Sequence, residues 1–543
     1  MLLVAVLVTV AICYLTWDRT KVPRTIKGPR CYPLLGTLPD IYYHFGSLNY
    51  LNRYIASLYK RYGWTIRVRF LHQERVIICH PADITAIYTS DGKYPRNVTA
   101  SFPSVNYVDK MSGIDHMTLA STESERWKFL RHELARHIFL PRKVSSYLSY
   151  INPVTRDLSA IITRQQANGQ LVNLEVIMPF FACEVIGNVM LGKRLGTLSC
   201  YLANDTVNNS DNESSRFARG VVDFFHQSYC FNFEIPWWRL FMTPKFKRYL
   251  TMYQSMRKYI RGQVAKMIDE IKLEDNLNAI SSEDNLNTSS SKDGLRGNRD
   301  NSSGDNISDG NSTDTGPYIK RMLANSKLTT DELSEGIITL FIGGVDATAT
   351  ATNVLLLYLA QNHRVQDRLH DELKAVLDGD DYDEARAPQL TYLKCVFKEL
   401  YRIAPPVPGT VRILNQDVTL QSGEVLPADT NVILCSEGLL NDSRFIDEPQ
   451  KFMPERWFDE ARQARKDRDL DFVDKCINYL PFSFGPRMCI GAGLATVEMY
   501  SVIARLIQDF QVSLAPNQPK YEFISAPFTQ ASPSPRLVFS ARV

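Results

Sequence analysis

Residues 482–491 read Phe482-Ser-Phe-Gly485-Pro-Arg487-Met-Cys489-Ile-Gly491, and this string decides the fold. Phe482, Phe484 and the preceding Pro481 offer an apolar wall, while Gly485 and Gly491 permit close backbone approach and unusual dihedrals. A helical pattern runs from about Gly491 to Asp509, so Cys489 sits just before a helix amino terminus. Free backbone N–H groups and the helix dipole there favour a thiolate. A thiolate in an apolar loop suits a bond to soft iron. Arg487, two residues away, can reach an anionic group on the same ligand. The plainer alternative is a buried structural cysteine in a Gly-rich turn.

The string resembles the haem-binding loop of the cytochrome P-450 family, F-x-x-G-x-R-x-C-x-G, at every fixed position. The resemblance implies a single, mainly α domain with a small β region (α+β) and haem b, iron protoporphyrin IX, as cofactor. Cys489 becomes the axial thiolate and Arg487 a haem-propionate partner, with Phe482, Gly485 and Gly491 completing the loop. Thiolate donation favours O–O cleavage.

Other stretches fit in order. Glu399-Leu-Tyr-Arg402 places opposite charges three apart on one helical face and resembles the family's E-x-x-R. Pro454-Glu-Arg456-Trp resembles the segment that supplies its third partner. The implied role is a structural charge network under the haem loop. Trp127 and Arg131, four apart on a predicted helix, carry only donors and suit a carboxylate; a cation–π or core pair is the alternative. Their spacing resembles the family's W-x-x-x-R, and Arg412, before a strand, resembles a further propionate-binding arginine.

Leu328-Thr-Thr-Asp-Glu marks a helix start, with Thr329 or Thr330 as cap and acids in the first turn. Apolar periodicity then continues to about Asn362, a rod of roughly 45–50 Å. It carries Gly343-Gly-Val-Asp346-Ala347-Thr348, similar to the family's oxygen-binding stretch. Asp346 aligns with the acid. Ala347 stands where the family has a threonine that helps deliver protons, and Thr348 follows one position later, rotated about 100°. Thr348, a water or a substrate hydroxyl could substitute, so Asp346 and Thr348 are the catalytic candidates.

The chain has 543 residues, enough for a large core, with 44% hydrophobic and 22% charged residues. A net charge of +3 and the lack of long basic tracts give no case for nucleic-acid binding. Ten scattered cysteines form no C-x-x-C pair, which argues for a reducing compartment. Residues 1–17 are apolar and uncharged and are read as an uncleaved transmembrane anchor. The basic flank that follows would stay in the cytosol. This predicts an endoplasmic-reticulum membrane protein with a cytosolic catalytic domain, the mitochondrial inner membrane being the alternative. Residues 18–40 form a Pro-rich, basic linker and residues 41–543 the catalytic domain. Residues 274–316, rich in Asn, Ser, Asp and Gly, are expected as a disordered insertion.

Lys93-Tyr-Pro-Arg96, Phe181-Ala-Cys-Glu-Val to Gly192-Lys-Arg-Leu-Gly196, and Leu393-Lys394-Cys-Val-Phe-Lys398-Glu resemble animal mitochondrial-type members. In those, lysines placed like Lys394 and Lys398 engage a ferredoxin. The basic pair that often follows the cysteine loop is replaced by Ala492 and Gly493. The predicted reaction inserts one O2 oxygen into an apolar substrate, a sterol, fatty acid or xenobiotic. Electrons would come from NADPH through a separate cytochrome P-450 reductase or a ferredoxin, because the chain shows no flavin or nicotinamide motif. The alternatives are a haem-thiolate isomerase or dehydratase, prompted by Ala347, and a non-catalytic haem- or lipid-binding protein. Candidate pocket segments are Val98–Leu119, Phe224–Phe241, Val407–Val411 and Ala526–Gln530.

Overall fold

The computed structural model describes residues 22–542 except 34, 72, 97–102, 115–116, 120–121, 139–143, 205–211, 289–315 and 480. The anchor expected at residues 1–17 lies outside the described residues. Among the described residues helices dominate, and ten short strands form small sheets beside them. The helices that position the site are α1 (Pro81–Ser90), α2 (Ser124–Ala135), α3 (Leu148–Ala167), α4 (Leu174–Leu191) and α5 (Glu213–Phe231). They continue with α6 (Pro244–Thr288), α7 (Thr330–Gln361), α8 (His363–Leu377), α9 (Thr391–Ile403) and α10 (Ala492–Asp509).

The largest sheet has the order β1-β2-β6-β3. β1 (Thr65–Phe70) and β2 (Gln73–Ile78) are an antiparallel hairpin with Thr65 opposite Ile78. β2 runs parallel to β6 (Asn431–Leu434), and β3 (Thr410–Ile413) closes the far edge antiparallel, with Arg412 opposite Val432. Three two-stranded sheets complete the β region: β4 (Val418–Thr419) with β5 (Val425–Leu426), β7 (Phe510–Leu514) with β10 (Leu537–Ala541), and β8 (Glu522–Ser525) with β9 (Thr529–Ser532).

α7 runs through the main hydrophobic core and packs most extensively on α4. Both are long and apolar enough to cross a membrane, yet both are mostly buried by protein, as core helices are. Close approach is possible because α7 is rich in small residues. A Cβ on Gly344 would lie 3.0 Å from Ile186 of α4, and one on Gly336 would lie 2.5 Å from Leu134 of α2.

One boundary differs from the sequence reading. α6 continues to Thr288, into the stretch where the composition pointed to disorder from residue 274. Residues 289–315 lie outside the described residues.

α7 begins as the sequence predicts. The Thr329 hydroxyl accepts from the Glu332 N–H at 3.3 Å, and the Glu332 carboxylate accepts from the Thr329 N–H at 2.7 Å, a reciprocal cap. Thr329→Ala should lower the unfolding free energy by about 1 kcal/mol, while Thr329→Asn stays within a few tenths. Denaturant titration of both variants checks this, and equal losses would contradict the capping role.

Candidate functional site

The Cys489 loop closes on its own backbone. The Cys489 N–H donates to Phe482 O at 2.8 Å and the Met488 N–H to Gly485 O at 2.9 Å. Gly485 has φ +77°, and Ser483 has φ +62°, a left-handed conformation that costs a non-glycine residue energy. Neighbours hold Ser483 there. Its hydroxyl accepts from Arg412 Nη2 at 3.1 Å and lies 3.3 Å from the Tyr88 hydroxyl on α1. Arg412 also reaches Phe484 O at 3.4 Å and pairs with Asp91 at 2.8 Å, both side chains being buried. Arg412 is therefore committed to a carboxylate of the chain itself and fastens the loop. Phe482 sets its ring edge-on to Tyr401 of α9, centroids 6.1 Å apart.

Two other cations lack such a partner. Arg131 of α2 donates to Met488 O at 2.6 Å, and Arg487 donates to Pro95 O at 2.9 Å and Thr122 O at 3.3 Å. The Arg487 guanidinium lies 3.8 Å from the centre of the Trp127 ring, and that of Arg131 lies 5.8 Å from the same ring. Among the described residues neither forms an ion pair, and burial pulls both below the ordinary arginine range, Arg487 to about 9. Half-buried positive charge with only carbonyl oxygens for company suits an anionic ligand.

The Cys489 side chain is accessible, yet enough protein surrounds it that burial raises its thiol. The Gly491 N–H and the Arg131 charge oppose that and favour the thiolate. On α7, Gly343 is exposed in mid-helix with open space where a Cβ would stand, and Ala347, one turn on, is partly exposed. Asp346 and Thr348 are buried, and burial pushes the Asp346 carboxyl up to about 7. These residues fit a haem: an accessible sulfur with thiolate-favouring neighbours, and two cations free to meet propionates.

Beneath the loop lies a dry charge network. Glu399 and Arg402 of α9 are fully buried and joined by hydrogen bonds of 2.8 and 2.9 Å. Glu399 also accepts from Arg456 at 3.1 Å, the Met453 N–H at 2.9 Å and the Trp457 indole N–H at 3.0 Å. Arg402 spends its remaining donors on Leu440 O at 3.0 Å and Pro449 O at 2.8 Å. The network thus pins the chain between Leu440 and Trp457 to α9, whose Tyr401 meets Phe482.

The structure brings Trp127, Arg131, Phe482, Gly485, Arg487, Cys489 and Gly491 together, with Glu399, Arg402 and Arg456 supporting them. Sequence reasoning missed Tyr88, Asp91 and Ser483. Their roles arise from contacts with partners far away in the chain, and no local pattern announces them. Trp457 was discoverable, since it follows Arg456 directly. The aromatics around Phe224–Phe241 are mostly core: Phe224 stacks on Tyr249 and Tyr253, and Trp238 on Phe246. Phe225 turns instead to Phe528 in the turn between β8 and β9, within Ala526–Gln530.

A mainly helical domain with a braced cysteine loop, unpaired cations and a buried Glu–Arg–Arg network defines a haem-thiolate protein. The chain belongs to the cytochrome P450 family, whose sequence profile matches residues 26–539. It is 24% identical to "Sterol 26-hydroxylase, mitochondrial" of Mus musculus over 95% of this chain and 90% of that protein. It is 25% identical to "Probable cytochrome P450 12b2, mitochondrial" of Drosophila melanogaster over 93% of this chain and 87% of the other. The human sterol 26-hydroxylase is 27% identical over 73% of this chain and 67% of that protein. Membership brings haem, monooxygenase chemistry in general, an apolar substrate and a redox partner. The relatives' names overturn the endoplasmic-reticulum expectation and point to the mitochondrion. An apolar segment reports that it partitions into a bilayer, not which bilayer. The body segments that resemble mitochondrial-type members carried the better signal.

Glu399→Gln should cost about 3–5 kcal/mol, because Arg402 and Arg456 would share a buried site with no anion. Denaturant unfolding followed together with haem retention tests this. Unchanged stability and full haem content would contradict the bracing role.

Proposed function

We propose that this chain is a mitochondrial haem-thiolate monooxygenase that inserts one oxygen atom of O2 into a sterol-like substrate, with electrons from a ferredoxin. The observation that carries the reading is the Cys489 sulfur, accessible, next to the Gly491 N–H and Arg131, beside two cations without carboxylate partners. Bound through Cys489, haem would supply oxygen activation, with thiolate donation favouring O–O cleavage.

The chain's own residues do the rest. Arg131 and Arg487, backed by Trp127, would hold the propionates. Tyr88, Asp91 and Arg412 keep the loop in its strained shape. Burial raises the Asp346 carboxyl to about 7, so near neutral pH it is divided between its protonated and ionised forms and can both take up and release a proton. Thr348 remains a candidate donor by sequence position, although its buried side chain leaves the exposed line of Gly343 and Ala347.

For the electron source, Lys394 and Lys398 stand one turn apart on α9, both partly exposed and without an ion pair among the described residues. They offer positive charge to an acidic ferredoxin, which NADPH would reduce through its own reductase. For the substrate, the relatives named sterol 26-hydroxylase support a sterol, and the apolar Phe225 and Phe528 contact supports a hydrophobic ligand. The mitochondrial inner membrane is the matching location.

A second reading, an isomerase or dehydratase of a pre-oxygenated substrate, is favoured by one observation. The line of α7 that carries Gly343 and Ala347 presents no hydroxyl at Ala347. Turnover of a peroxide substrate without NADPH would select it. Strict dependence on NADPH and O2 would remove it.

Cys489→Ala should abolish the red-shifted Soret band of the reduced carbonyl complex. An unshifted wild-type band, or the same band in the variant, would refute the ligand assignment.

A further inference from the structure

Ala347 leaves the acid of α7 without the neighbouring hydroxyl that its position calls for. Residues on an α-helix advance by about 100° each, so Thr348 points roughly 160° away from Asp346. Thr350 does not: it lies about 40° from Asp346 and about 60° from Ala347, one turn on. The contacts agree with the wheel. The Thr350 hydroxyl donates to Asp346 Oδ1 at 3.5 Å, and both side chains are buried. Thr348 shows no such contact; its backbone carbonyl accepts from Thr352 at 2.9 Å.

Asp346 and Thr350 also share a space. Both line a partly open pocket of about 80 Å³, bounded by Glu175 of α4, Asn353 of α7, Gln530 of β9 and Ser534. The Asn353 side-chain oxygen is buried without a hydrogen-bond partner. Polar groups at this spacing can hold water, and water in such a pocket connects a buried acid to solvent. Gly343 lies about 20° and Ala347 about 60° from Thr350 around the helix, so the exposed positions adjoin the pocket's side of α7.

We propose that Thr350 is the positioning residue for Asp346: its hydroxyl aims the carboxyl into this water-holding pocket and provides, one turn later, the hydroxyl that Ala347 cannot. The proposal rests on the monooxygenase reading for its consequence, but the Thr350–Asp346 contact stands on geometry alone. Protons would pass from pocket water to Asp346, and from Asp346 toward the Ala347 side of the helix. Each transfer breaks an O–H bond of pocket water and forms one on the Asp346 carboxylate, and release of that proton toward the Ala347 side regenerates the carboxylate.

Other groups act on Asp346. His226 of α5 lowers its carboxyl, and Thr350 lowers it too, against the dominant effect of burial. Glu175 of α4 borders the pocket. The Cys183 thiol of α4 is raised by burial and by the charges of Glu184, Glu498 and Asp346, Glu498 coming from α10. β9 contributes no charged group, only Gln530 and Ala531.

The test uses the holoenzyme in three variants. Thr350→Val keeps the β-branched shape without the hydroxyl, Thr350→Ser restores a hydroxyl, and Thr348→Val is the comparison. The protonated Asp346 carboxyl is followed by infrared difference spectroscopy across pH, assigned by its loss in Asp346→Asn. The wild-type midpoint should lie near 7. Losing a hydrogen bond that favours the carboxylate must raise it, so Thr350→Val should shift the midpoint upward, while Thr350→Ser and Thr348→Val leave it in place. The fraction of reducing equivalents recovered as product rather than peroxide should fall severalfold in Thr350→Val and recover in Thr350→Ser. A midpoint unmoved by Thr350→Val overturns the proposal. A wild-type enzyme that consumes no O2 with substrate overturns the monooxygenase reading, and the infrared midpoint still reports on Thr350.

Discussion

The proposed chemistry depends on keeping an anionic sulfur inside a protein. Burial alone drives the Cys489 thiol toward its neutral form, which binds iron poorly. The fold answers with one backbone N–H from Gly491 and one cation, Arg131, whose remaining reach is fixed by Met488 O. Both devices require the loop to hold its shape to a fraction of an ångström. Much of the surrounding architecture serves that requirement: Ser483 in a left-handed conformation clamped by Arg412 and Tyr88, and the network around Glu399 beneath.

The Glu399 network shows how a costly interaction is made tolerable. Removing three ionised side chains from water is unfavourable, and their mutual attraction compensates only when every donor and acceptor is used. Glu399 accepts from two arginines, an indole and a backbone amide, and Arg402 uses its outer donors on backbone carbonyls. Such a network fixes one arrangement of α9 and the chain near Trp457. It thereby gives the cysteine loop a rigid floor.

The loop, the long helix with its Thr329 cap and the Glu399–Arg402–Arg456 set were legible because each is a local pattern or an ordered series of them. Asp91 and Tyr88 were not, because their partners Arg412 and Ser483 lie far along the chain, and only the fold brings them together. Thr350 was hidden for another reason. Linear reading directs attention to Thr348, the hydroxyl nearest Ala347 in sequence, whereas the helix turns that side chain away and returns to the same side at Thr350. Location was misjudged because residues 1–17 carry a strong hydropathy signal with little address information, while the body segments around Lys93, Gly192 and Lys394 carry ancestry.

A sulfur–iron bond made by Cys489 underlies all of the proposed chemistry. X-ray absorption at the iron edge of the purified protein, compared with Cys489→Ser, tests it most directly. One sulfur scatterer is expected in the first coordination sphere of the wild type, and it should be lost in the variant. A first sphere of nitrogen and oxygen alone in the wild type, or a sulfur shell that survives the substitution, would contradict it.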